Sequence, residues 1–212
     1  MGCSLTGLIG GIDEAGRGPL AGPVVSSCVI WKELPEEREA INDSKLLSEK
    51  ERLQFFKWIY ANAYKVGIGT ATHEEIEKIN ILRASLLSME RALKDTDIQP
   101  DTLLIDGIYG IKAFPRSKPI IKGDRKCFFV ACASIIAKVV RDGIMKEYDA
   151  LYPQYNFRKN KGYPTKDHKR AIAEYGASPI HRKTFRGVKE YLVDRDEKEY
   201  LAGRGVKEYF AG

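Results

Sequence analysis

Four acidic residues occupy positions at which their carboxylates can bind a shared cation. Asp13 and Glu14 directly follow one apolar run, Asp106 directly follows a second, and Asp124 closes a third. Where neighbouring strands run parallel, residues at their carboxyl ends meet at one edge of the sheet. Carboxylates that meet there repel one another, and a divalent cation relieves the repulsion. The pattern predicts a site for Mg²⁺ or Mn²⁺, hard ions that prefer oxygen ligands and also bind phosphate oxygens.

The number of carboxylates indicates what such a site would do. Four carboxylates can hold two ions roughly 3.5–4 Å apart, the arrangement that hydrolyses a phosphodiester bond by in-line displacement. One ion activates the attacking water, and the other stabilises the leaving 3′-oxygen. Each residue alone has a plainer explanation: Asp106 as a turn residue, Asp124 as the N-cap of a helix and Glu14 as a solvated charge. Only the complete set favours the metal site.

A fifth carboxylate, Asp142, competes with Asp124 for the last position in this set. Asp142 lies in a predicted long helix, more than four turns beyond Asp124 at roughly 3.6 residues per turn. Asp124 instead closes a predicted strand, so we expect it to be the fourth ligand. Lys138, in the same long helix, either balances the acidic cluster or is a solvated helix lysine.

The elements that position these residues follow from the spacing of apolar side chains. Apolar, β-branched runs predict five strands, and capping boxes at Ser48–Glu51 and Thr72–Glu75 predict the starts of two helices. A long helix and a shorter one ending at Gly176 come later. This order predicts a mixed α/β sheet with helices on its faces. The predicted strands cover residues 5–12, 24–31, 64–72, 103–105 and 119–121, and the helices after the one at Ser48 cover residues 72–93, 126–148 and 165–175.

The composition fits one domain with an anionic partner. The chain has 212 residues, a hydrophobic fraction of 43%, a formal net charge of +6 and a pI near 9.0. A basic protein of this kind most simply binds nucleic acid. Basic residues near Tyr163 predict a phosphate-binding surface; they are Arg158, Lys159, Lys161, Arg182, Lys183 and Arg186.

Other classes of site, and a membrane location, find no support in the residue pattern. The four cysteines form no CxxC pair, so we expect reduced thiols rather than a zinc site. His73, His168 and His181 lack the spacing of metal ligands, and we assign them no role. We find neither a signal peptide nor an apolar run long enough to span a bilayer. We therefore expect a cytoplasmic protein.

Residues 11–23 resemble the N-terminal signature of the ribonuclease HII family. The segment reads Gly-Ile-Asp-Glu-Ala-Gly-Arg-Gly-Pro-Leu-Ala-Gly-Pro, which is a long and specific match. Further segments agree in the same order, so the resemblance extends to about residue 187. They are residues 43–45 (Asp-Ser-Lys), 105–107 (Ile-Asp-Gly), 122–124 (Lys-Gly-Asp), 133–139 (Ala-Ser-Ile-Ile-Ala-Lys-Val) and 161–165 (Lys-Gly-Tyr-Pro-Thr).

The resemblance implies a fold and a metal site. The fold is ribonuclease H-like, with a five-stranded mixed sheet of three antiparallel and two parallel strands flanked by helices. The site holds two divalent ions, Mg²⁺ or Mn²⁺, on Asp13, Glu14, Asp106 and Asp124, the same set that the strand ends predict. We expect the catalytic domain to cover residues 1–189 and a short helical C-terminal tail to cover residues 190–212.

The resemblance also implies how the substrate is recognised. A glycine-rich loop reads the ribonucleotide, a tyrosine packs on the sugar that follows, and a Ser-Lys pair lies along the substrate backbone. Because glycine has no Cβ, main-chain groups can approach the 2′-hydroxyl, the one backbone group that separates RNA from DNA. An aromatic ring between lysines suits stacking on a nucleic-acid strand. These residues are Gly16, Arg17, Gly18, Tyr163, Ser44 and Lys45.

The implied activity is that of an endoribonuclease. It hydrolyses the RNA strand of RNA–DNA hybrids and cuts 5′ to single ribonucleotides in duplex DNA, leaving 3′-hydroxyl and 5′-phosphate ends. Its roles would be ribonucleotide removal from DNA and removal of RNA primers. We expect a monomer without a clamp-binding motif, and without the N-terminal domain of ribonuclease HIII, because the catalytic strand starts so early.

Two other classes of protein remain as alternatives. A non-catalytic nucleic-acid-binding module would have no need to concentrate four carboxylates beside phosphates. A junction resolvase or integrase of the same fold would have no need of the glycine-rich loop and Tyr163.

Overall fold

The computed structural model describes residues 7–36, 41 and 47–192, and these contain a five-stranded sheet. The strands follow the order β3-β2-β1-β4-β5 across the sheet. β1 pairs antiparallel with β2, and β2 antiparallel with β3, whereas β1–β4 and β4–β5 are parallel. This confirms the predicted mixed sheet. The strands are β1 (Ile9–Ala15), β2 (Val24–Trp31), β3 (Lys65–Ala71), β4 (Thr102–Asp106) and β5 (Lys118–Ile120).

Helices begin where the predicted capping boxes lie. The side chains of Ser48 and Thr72 each accept a hydrogen bond from the backbone N–H three residues later. The glutamate at that later position accepts in turn from the backbone N–H of the cap residue. The short helix α7 is capped by Thr165 and ends at Gly176, as predicted. The helices are α1 (Glu49–Asn62), α2 (His73–Ile79), α3 (Ile81–Asp95), α4 (Gly123–Lys126), α5 (Phe128–Leu151), α6 (Phe157–Asn160) and α7 (Lys166–Tyr175).

Two local predictions are wrong. The single helix predicted from Thr72 to Leu93 is two helices, because Asn80 takes a left-handed φ of 67° and its side chain accepts from the Arg83 N–H to cap α3. Asp124 does not close a strand: β5 ends at Ile120, and Asp124 lies in the separate short helix α4.

Helices cover both faces of the sheet. Because side chains alternate along a strand, Ile9, Gly11 and Asp13 face α1 and α5, whereas Ile12 faces α3. The core on the first side includes Val29, Trp31, Ile59, Phe129, Cys132, Ile135 and Ile136. The core on the second side includes Cys28, Ile30, Met89, Leu93, Leu103 and Ile105.

Gly11 permits α5 to lie directly on β1. A Cβ at this position would stand 2.1 Å from the carbonyl oxygen of Phe129, so the contact is with backbone and cannot relax by rotating a side chain. We predict that Gly11→Ala lowers the free energy of unfolding by about 3 kcal/mol, the upper part of the range for overpacking. Urea unfolding measures this loss. Gly143→Ala is the matched control, because nothing lies within 4 Å of its added Cβ and alanine favours helix. A Gly11→Ala protein as stable as that control would contradict the packing argument.

The chain divides into two compact units, Met1–Arg17 with Pro23–Ile144 and Gly18–Gly22 with Met145–Gly212. The first contains the sheet. The second, in its described part, has its own core of Leu20, Ala21, Met145, Tyr155, Phe157, Ala171, Ile172, Ile180 and Val188. The predicted boundary at residue 189 stays a prediction, and the tail beyond residue 192 lies outside the described residues. Among the helices of the described residues, none is long and apolar enough to cross a membrane.

Candidate metal centre and ribonucleotide-reading loop

Asp13 and Asp106 lie side by side at one edge of the sheet. β1 and β4 are parallel neighbours in which Ile12 pairs with Ile105, so the next residue in each strand is an aspartate. Asp13 is only 5% exposed, and Glu14 follows it within β1. The parallel pairing, which the sequence argument assumed, therefore brings the first three predicted ligands together.

Burial and like charge both disfavour ionised carboxylates at this edge. Burial raises the pKa of Asp13 well above its usual value, and the charges of Glu14 and Asp106 raise it further. Burial also raises the pKa of Glu14, against the opposing effect of the Arg17 guanidinium, whose Nη1 lies 3.3 Å from Glu14 Oε1. A bound cation stabilises a buried cluster of this kind, because it offsets the repulsion between the carboxylates.

Backbone amides orient two of the carboxylates. The Glu14 N–H donates to Asp13 Oδ1 at 2.7 Å, and the Gly123 N–H donates to Asp106 Oδ1 at 2.7 Å. The second bond places the start of α4 against Asp106, and Asp124, 3% exposed, is the next residue along that helix. The structure thus brings Asp124 near this edge through α4 rather than through a strand end.

The donor set fits divalent cations by its chemistry. The acidic side chains offer only hard oxygen ligands, and Asp13, Glu14 and Asp106 interact electrostatically with one another. Among residues 7–36, 41 and 47–192, no three His, Cys, Asp or Glu side chains form a group already arranged around an ion position. The fit therefore rests on the kind and proximity of the ligands.

α5 runs beside β1 in the same direction. Gly11 lies against the backbone of Phe129, and Gly16 lies against the side chain of Arg141. Between these two contacts the helix advances by about 18 Å at 1.5 Å per residue, and the strand by about 17 Å at 3.4 Å per residue. The two elements therefore advance by nearly the same distance, and the later turns of α5 reach the end of β1 that carries the carboxylates.

This course brings Asp142 back into competition with Asp124. The Ser134 hydroxyl hydrogen-bonds to Asp13, and Lys138 and Asp142 follow on the same helix face at intervals of four residues. Lys138 Nζ lies 2.8 Å from Asp142 Oδ1. The number of helical turns between Asp124 and Asp142 therefore gives no reason to exclude Asp142, because those turns advance along β1 towards the end that carries the carboxylates.

A direct comparison of Asp124→Asn and Asp142→Asn identifies the fourth ligand. Loss of a ligand should raise the Mn²⁺ concentration required for half-maximal cleavage by at least about ten-fold. We expect Asp124→Asn to show the larger shift, as the sequence argument predicts. The measurement is a Mn²⁺ titration of initial rates for both variants, and the reverse order would assign the fourth position to Asp142.

The predicted loop begins in the first unit with Gly16 and Arg17. Gly16 has a φ of 104°, and a Cβ there would stand 2.1 Å from Nε of Arg141. Arg141 is 1% exposed, and its Nε donates to the Pro23 carbonyl at 2.9 Å. A buried arginine therefore supports the backbone at both ends of residues 16–23, and only glycine fits at position 16.

Gly18 and Tyr163 meet within the second unit. A Cβ at Gly18 would stand 3.6 Å from Cε1 of Tyr163, so the ring packs over the glycine at ordinary contact distance. Tyr163 is 42% exposed and keeps part of its ring open to a ligand. Ser44 and Lys45, also predicted to contact substrate, lie outside the described residues.

Arg182 corrects the predicted basic surface. Its side chain is 0% exposed, and it donates from Nε to the Gly22 carbonyl and from Nη1 to the Pro19 carbonyl, each at 2.9 Å. It therefore braces the Gly18–Gly22 segment instead of facing phosphates. Arg158, Lys159, Lys183 and Arg186 are exposed, as a phosphate-binding surface requires, and Lys161 is half-buried.

Sequence reasoning missed three further buried polar residues, Arg141, His168 and His181. Their partners lie far away in the chain or on another element, as with Arg141 and Pro23, 118 residues apart. No local pattern marks such residues.

Known proteins of similar sequence and fold identify the family of this chain. The family model described as Ribonuclease HII matches residues 10–188. The ribonuclease HII of Clostridioides difficile is 51% identical over 179 residues, covering 84% of this chain and 69% of that protein. The crystal structure of ribonuclease H2 from Pyrococcus horikoshii OT3 superposes with a TM-score of 0.72 at 26% identity, covering 87% of this chain and 96% of that one. The crystal structure of Bst-RNase HIII in complex with Mn²⁺ has the same TM-score at 17% identity, covering 88% and 69%, and so shares the fold. The chain belongs to the ribonuclease HII family and is a metal-dependent endoribonuclease of RNA–DNA hybrids.

Proposed function

We propose that this ribonuclease also cuts duplex DNA on the 5′ side of a single embedded ribonucleotide, leaving 3′-hydroxyl and 5′-phosphate ends. Asp13, Glu14, Asp106 and Asp124 would hold two divalent ions, Mg²⁺ or Mn²⁺. The partly exposed Tyr163 ring packed over Gly18 supports recognition of the junction. The parallel pairing of β1 with β4 supports the metal site, because it brings the buried Asp13 beside Asp106. In the cell such an activity serves ribonucleotide removal from DNA and removal of RNA primers.

The chain's own residues prepare the site for catalysis. Hydrogen bonds from the Glu14 N–H and the Ser134 hydroxyl hold the Asp13 carboxylate, and the Gly123 N–H holds that of Asp106. Burial raises the pKa of Glu14, and the Arg17 guanidinium opposes this rise and so favours the ionised form that a ligand requires. Bound divalent cations supply the Lewis acidity that activates water and stabilises the leaving 3′-oxygen.

Selectivity for ribose is assigned to the backbone of residues 16–18. Gly16 and Gly18 leave main-chain groups open to approach by a sugar, and a 2′-hydroxyl both donates and accepts hydrogen bonds. A deoxyribose makes neither bond, so an all-DNA duplex should remain uncut. Within the first unit Arg141 packs against Gly16, and within the second unit Arg182 donates to the carbonyls of Pro19 and Gly22, which follow these residues.

The function is tested on a DNA duplex that carries one ribonucleotide. We expect a single cut on its 5′ side in the presence of Mg²⁺ or Mn²⁺, and none in an otherwise identical all-DNA duplex. A long RNA–DNA hybrid serves as the positive control for enzyme activity. Cleavage of the hybrid with no cleavage at the single ribonucleotide would limit the enzyme to hybrids.

Tyr163→Ala should weaken cleavage at a single ribonucleotide. The sugar that follows is then a deoxyribose, and the partly exposed ring can press against it because no 2′-oxygen intervenes. We expect kcat/KM to fall by an amount that corresponds to about 1–3 kcal/mol of lost transition-state stabilisation, which is typical of a lost stacking contact. The loss on long hybrids should be much smaller. Both substrates are compared at one salt concentration, because phosphate contacts vary with salt. Tyr175→Ala is the control, because Tyr175 is an exposed tyrosine on α7. If Tyr163→Ala lowered kcat/KM equally on both substrates, Tyr163 would be a packing residue.

A further inference from the structure

Two buried histidines in the second unit bond to each other through their rings. His168 and His181 are both 0% exposed, and their Nε2 atoms are 2.9 Å apart. At one end of the pair, His168 Nδ1 lies 2.9 Å from the carbonyl oxygen of Tyr163. At the other end, His181 Nδ1 lies 2.9 Å from the backbone N of Ser178 and 2.7 Å from its hydroxyl. None of the functions described above uses these rings.

The backbone groups at the two ends determine where the protons lie. The Ser178 N–H can only donate, so His181 Nδ1 accepts and its proton is on Nε2. That Nε2–H donates to His168 Nε2, which leaves the His168 proton on Nδ1. The Tyr163 carbonyl can only accept, and the His168 Nδ1–H donates to it. The bonds at both ends therefore agree on one assignment, with the proton on Nε2 in His181 and on Nδ1 in His168. The hydrogen bonds run in one direction from Ser178 to Tyr163.

The pair has no place for an additional proton. A proton on His168 Nε2 would face the His181 Nε2–H, and one on His181 Nδ1 would face the Ser178 N–H. The rings of Tyr155 and Phe157 pack against both histidines, with centroids 4.9–6.4 Å away. Burial also lowers the pKa of His168. The hydrogen bonds of this arrangement therefore fit two neutral rings.

The pair joins the two parts of the predicted substrate-reading surface that lie in this unit. His181 forms an antiparallel bridge with Ala21, supported by hydrogen bonds from Arg182 N–H to the Leu20 carbonyl at 2.8 Å and from Gly22 N–H to the Ile180 carbonyl at 2.9 Å. Its main chain is thus attached to the Gly18–Gly22 segment. Its ring leads through His168 to the main chain of Tyr163.

The Tyr163 backbone is held on both sides. Its N–H donates to the Asn160 carbonyl at 2.9 Å, and its carbonyl accepts from the Thr165 N–H at 2.8 Å as well as from His168. The first two bonds are local to residues 160–165. The His168 bond leads on, through His181, to the Gly18–Gly22 segment, which also bonds directly to the residue before Tyr163, from the Leu20 N–H to the Gly162 carbonyl at 2.7 Å.

We propose that the His168–His181 pair positions the Tyr163 ring over Gly18, and thereby sets how strongly the enzyme prefers a deoxyribose to a ribose after the ribonucleotide it cuts. The inference rests on the proposed role of Tyr163. Both histidines are positioning residues, because they act on substrate only through Tyr163. A purely structural pair would alter stability and leave this preference unchanged.

Three substitutions at His168 separate its two hydrogen bonds. Asparagine places an amide N–H near the Nδ1 position, so His168→Asn keeps the donor to Tyr163 and loses the link to His181. Glutamine places its amide near the Nε2 position, so His168→Gln keeps the link and loses the donor. His168→Phe fills the space and makes neither bond. The measured quantity is the ratio of kcat/KM on a single-ribonucleotide duplex to kcat/KM on a long RNA–DNA hybrid.

We expect His168→Gln and His168→Phe to lower this ratio at least about five-fold, the lower end of what loss of the Tyr163 contact would cause. His168→Asn keeps the donor to Tyr163 but loses the link to His181, so its ratio should lie between that of the wild-type protein and that of His168→Gln. In a Tyr163→Ala background, His168→Gln should cause no further change. A ratio that stays at the wild-type value in both His168→Gln and His168→Phe, while Tyr163→Ala lowers it, would overturn the role of the pair alone.

An unchanged ratio in Tyr163→Ala would overturn the role of Tyr163 and the role of the pair together. Nuclear magnetic resonance of the imidazole nitrogens in the wild-type protein tests the hydrogen-bond chain independently of activity and of any variant's folding. We expect the Nδ1–H tautomer for His168 and the Nε2–H tautomer for His181. The opposite tautomer at His168 would remove the donor to Tyr163 and refute the proposal.

Discussion

Asp13→Asn should abolish nearly all turnover and at the same time stabilise the metal-free protein. Asp13 is buried beside Glu14 and Asp106, and we propose it as a cation ligand; its loss should then remove several kcal/mol of transition-state stabilisation, about a thousand-fold or more in rate. Substrate binding should be kept or become tighter, because a negative charge beside the phosphates is lost. Asp106→Asn should behave in the same way towards turnover and binding.

The gain in stability follows from the direction of the pKa shift. Asp13 has a pKa in the folded protein well above its unfolded value of about 3.9. Below the unfolded pKa both states are protonated, and the carboxyl costs the fold nothing. Between the two pKa values the folded state retains a proton that the unfolded state releases, so wild-type stability falls as the pH rises. Asparagine carries no charge, and the advantage of the variant should therefore grow from about pH 4 upward.

Three measurements check this double effect. Single-turnover rates give the loss of catalysis, and dissociation constants at one salt concentration give the effect on binding. Urea unfolding in chelator, from pH 4 to pH 8, gives the stability difference. Asp97→Asn is the matched control, an exposed aspartate with a φ of 56° that asparagine adopts readily. An inactive Asp13→Asn protein that is also less stable at neutral pH would mean that Asp13 has a structural partner.

The site was predictable from the sequence where it depends on strand ends. Asp13 and Asp106 each follow an apolar run, and parallel pairing of the two strands brings them together. The family resemblance supported the same residues. Asp124 was harder to place, because β5 has three residues and α4 has four, and such short elements show no complete repeat of apolar side chains. The choice between Asp124 and Asp142 depends on the direction of α5, which no local pattern reveals.

Buried polar residues were the main features that the sequence did not reveal. Arg182 was predicted to contact phosphates because it belongs to a cluster of basic residues, yet it donates to two carbonyls of the Gly18–Gly22 segment. His168 and His181 were given no role because their spacing fits no metal site, and their function depends on each other's ring. Such residues satisfy backbone groups of irregular segments, whose need for partners becomes apparent only after folding.

Chelation should abolish cleavage completely, and Mg²⁺ or Mn²⁺ should restore it. Among the described residues, Arg17 lies beside Glu14 and Lys138 beside Asp142. These cations pair with carboxylates and do not supply the Lewis acidity by which a divalent ion activates water. We expect no measurable cleavage of an RNA–DNA hybrid in EDTA, and full recovery when excess Mg²⁺ or Mn²⁺ is added. Undiminished activity in EDTA would exclude a metal-dependent mechanism.

Metal binding should also be visible in stability, without any turnover. A cation that binds only the folded protein stabilises it by about 2.7 kcal/mol at a concentration one hundred times its dissociation constant. Wild-type unfolding should therefore shift to higher urea as Mn²⁺ is added, because the cation relieves repulsion among Asp13, Glu14 and Asp106. Asp13→Asn should start from a more stable metal-free state and gain much less from Mn²⁺. An equal gain in both proteins would place the stabilising ion away from these carboxylates, even if catalysis depends on metal.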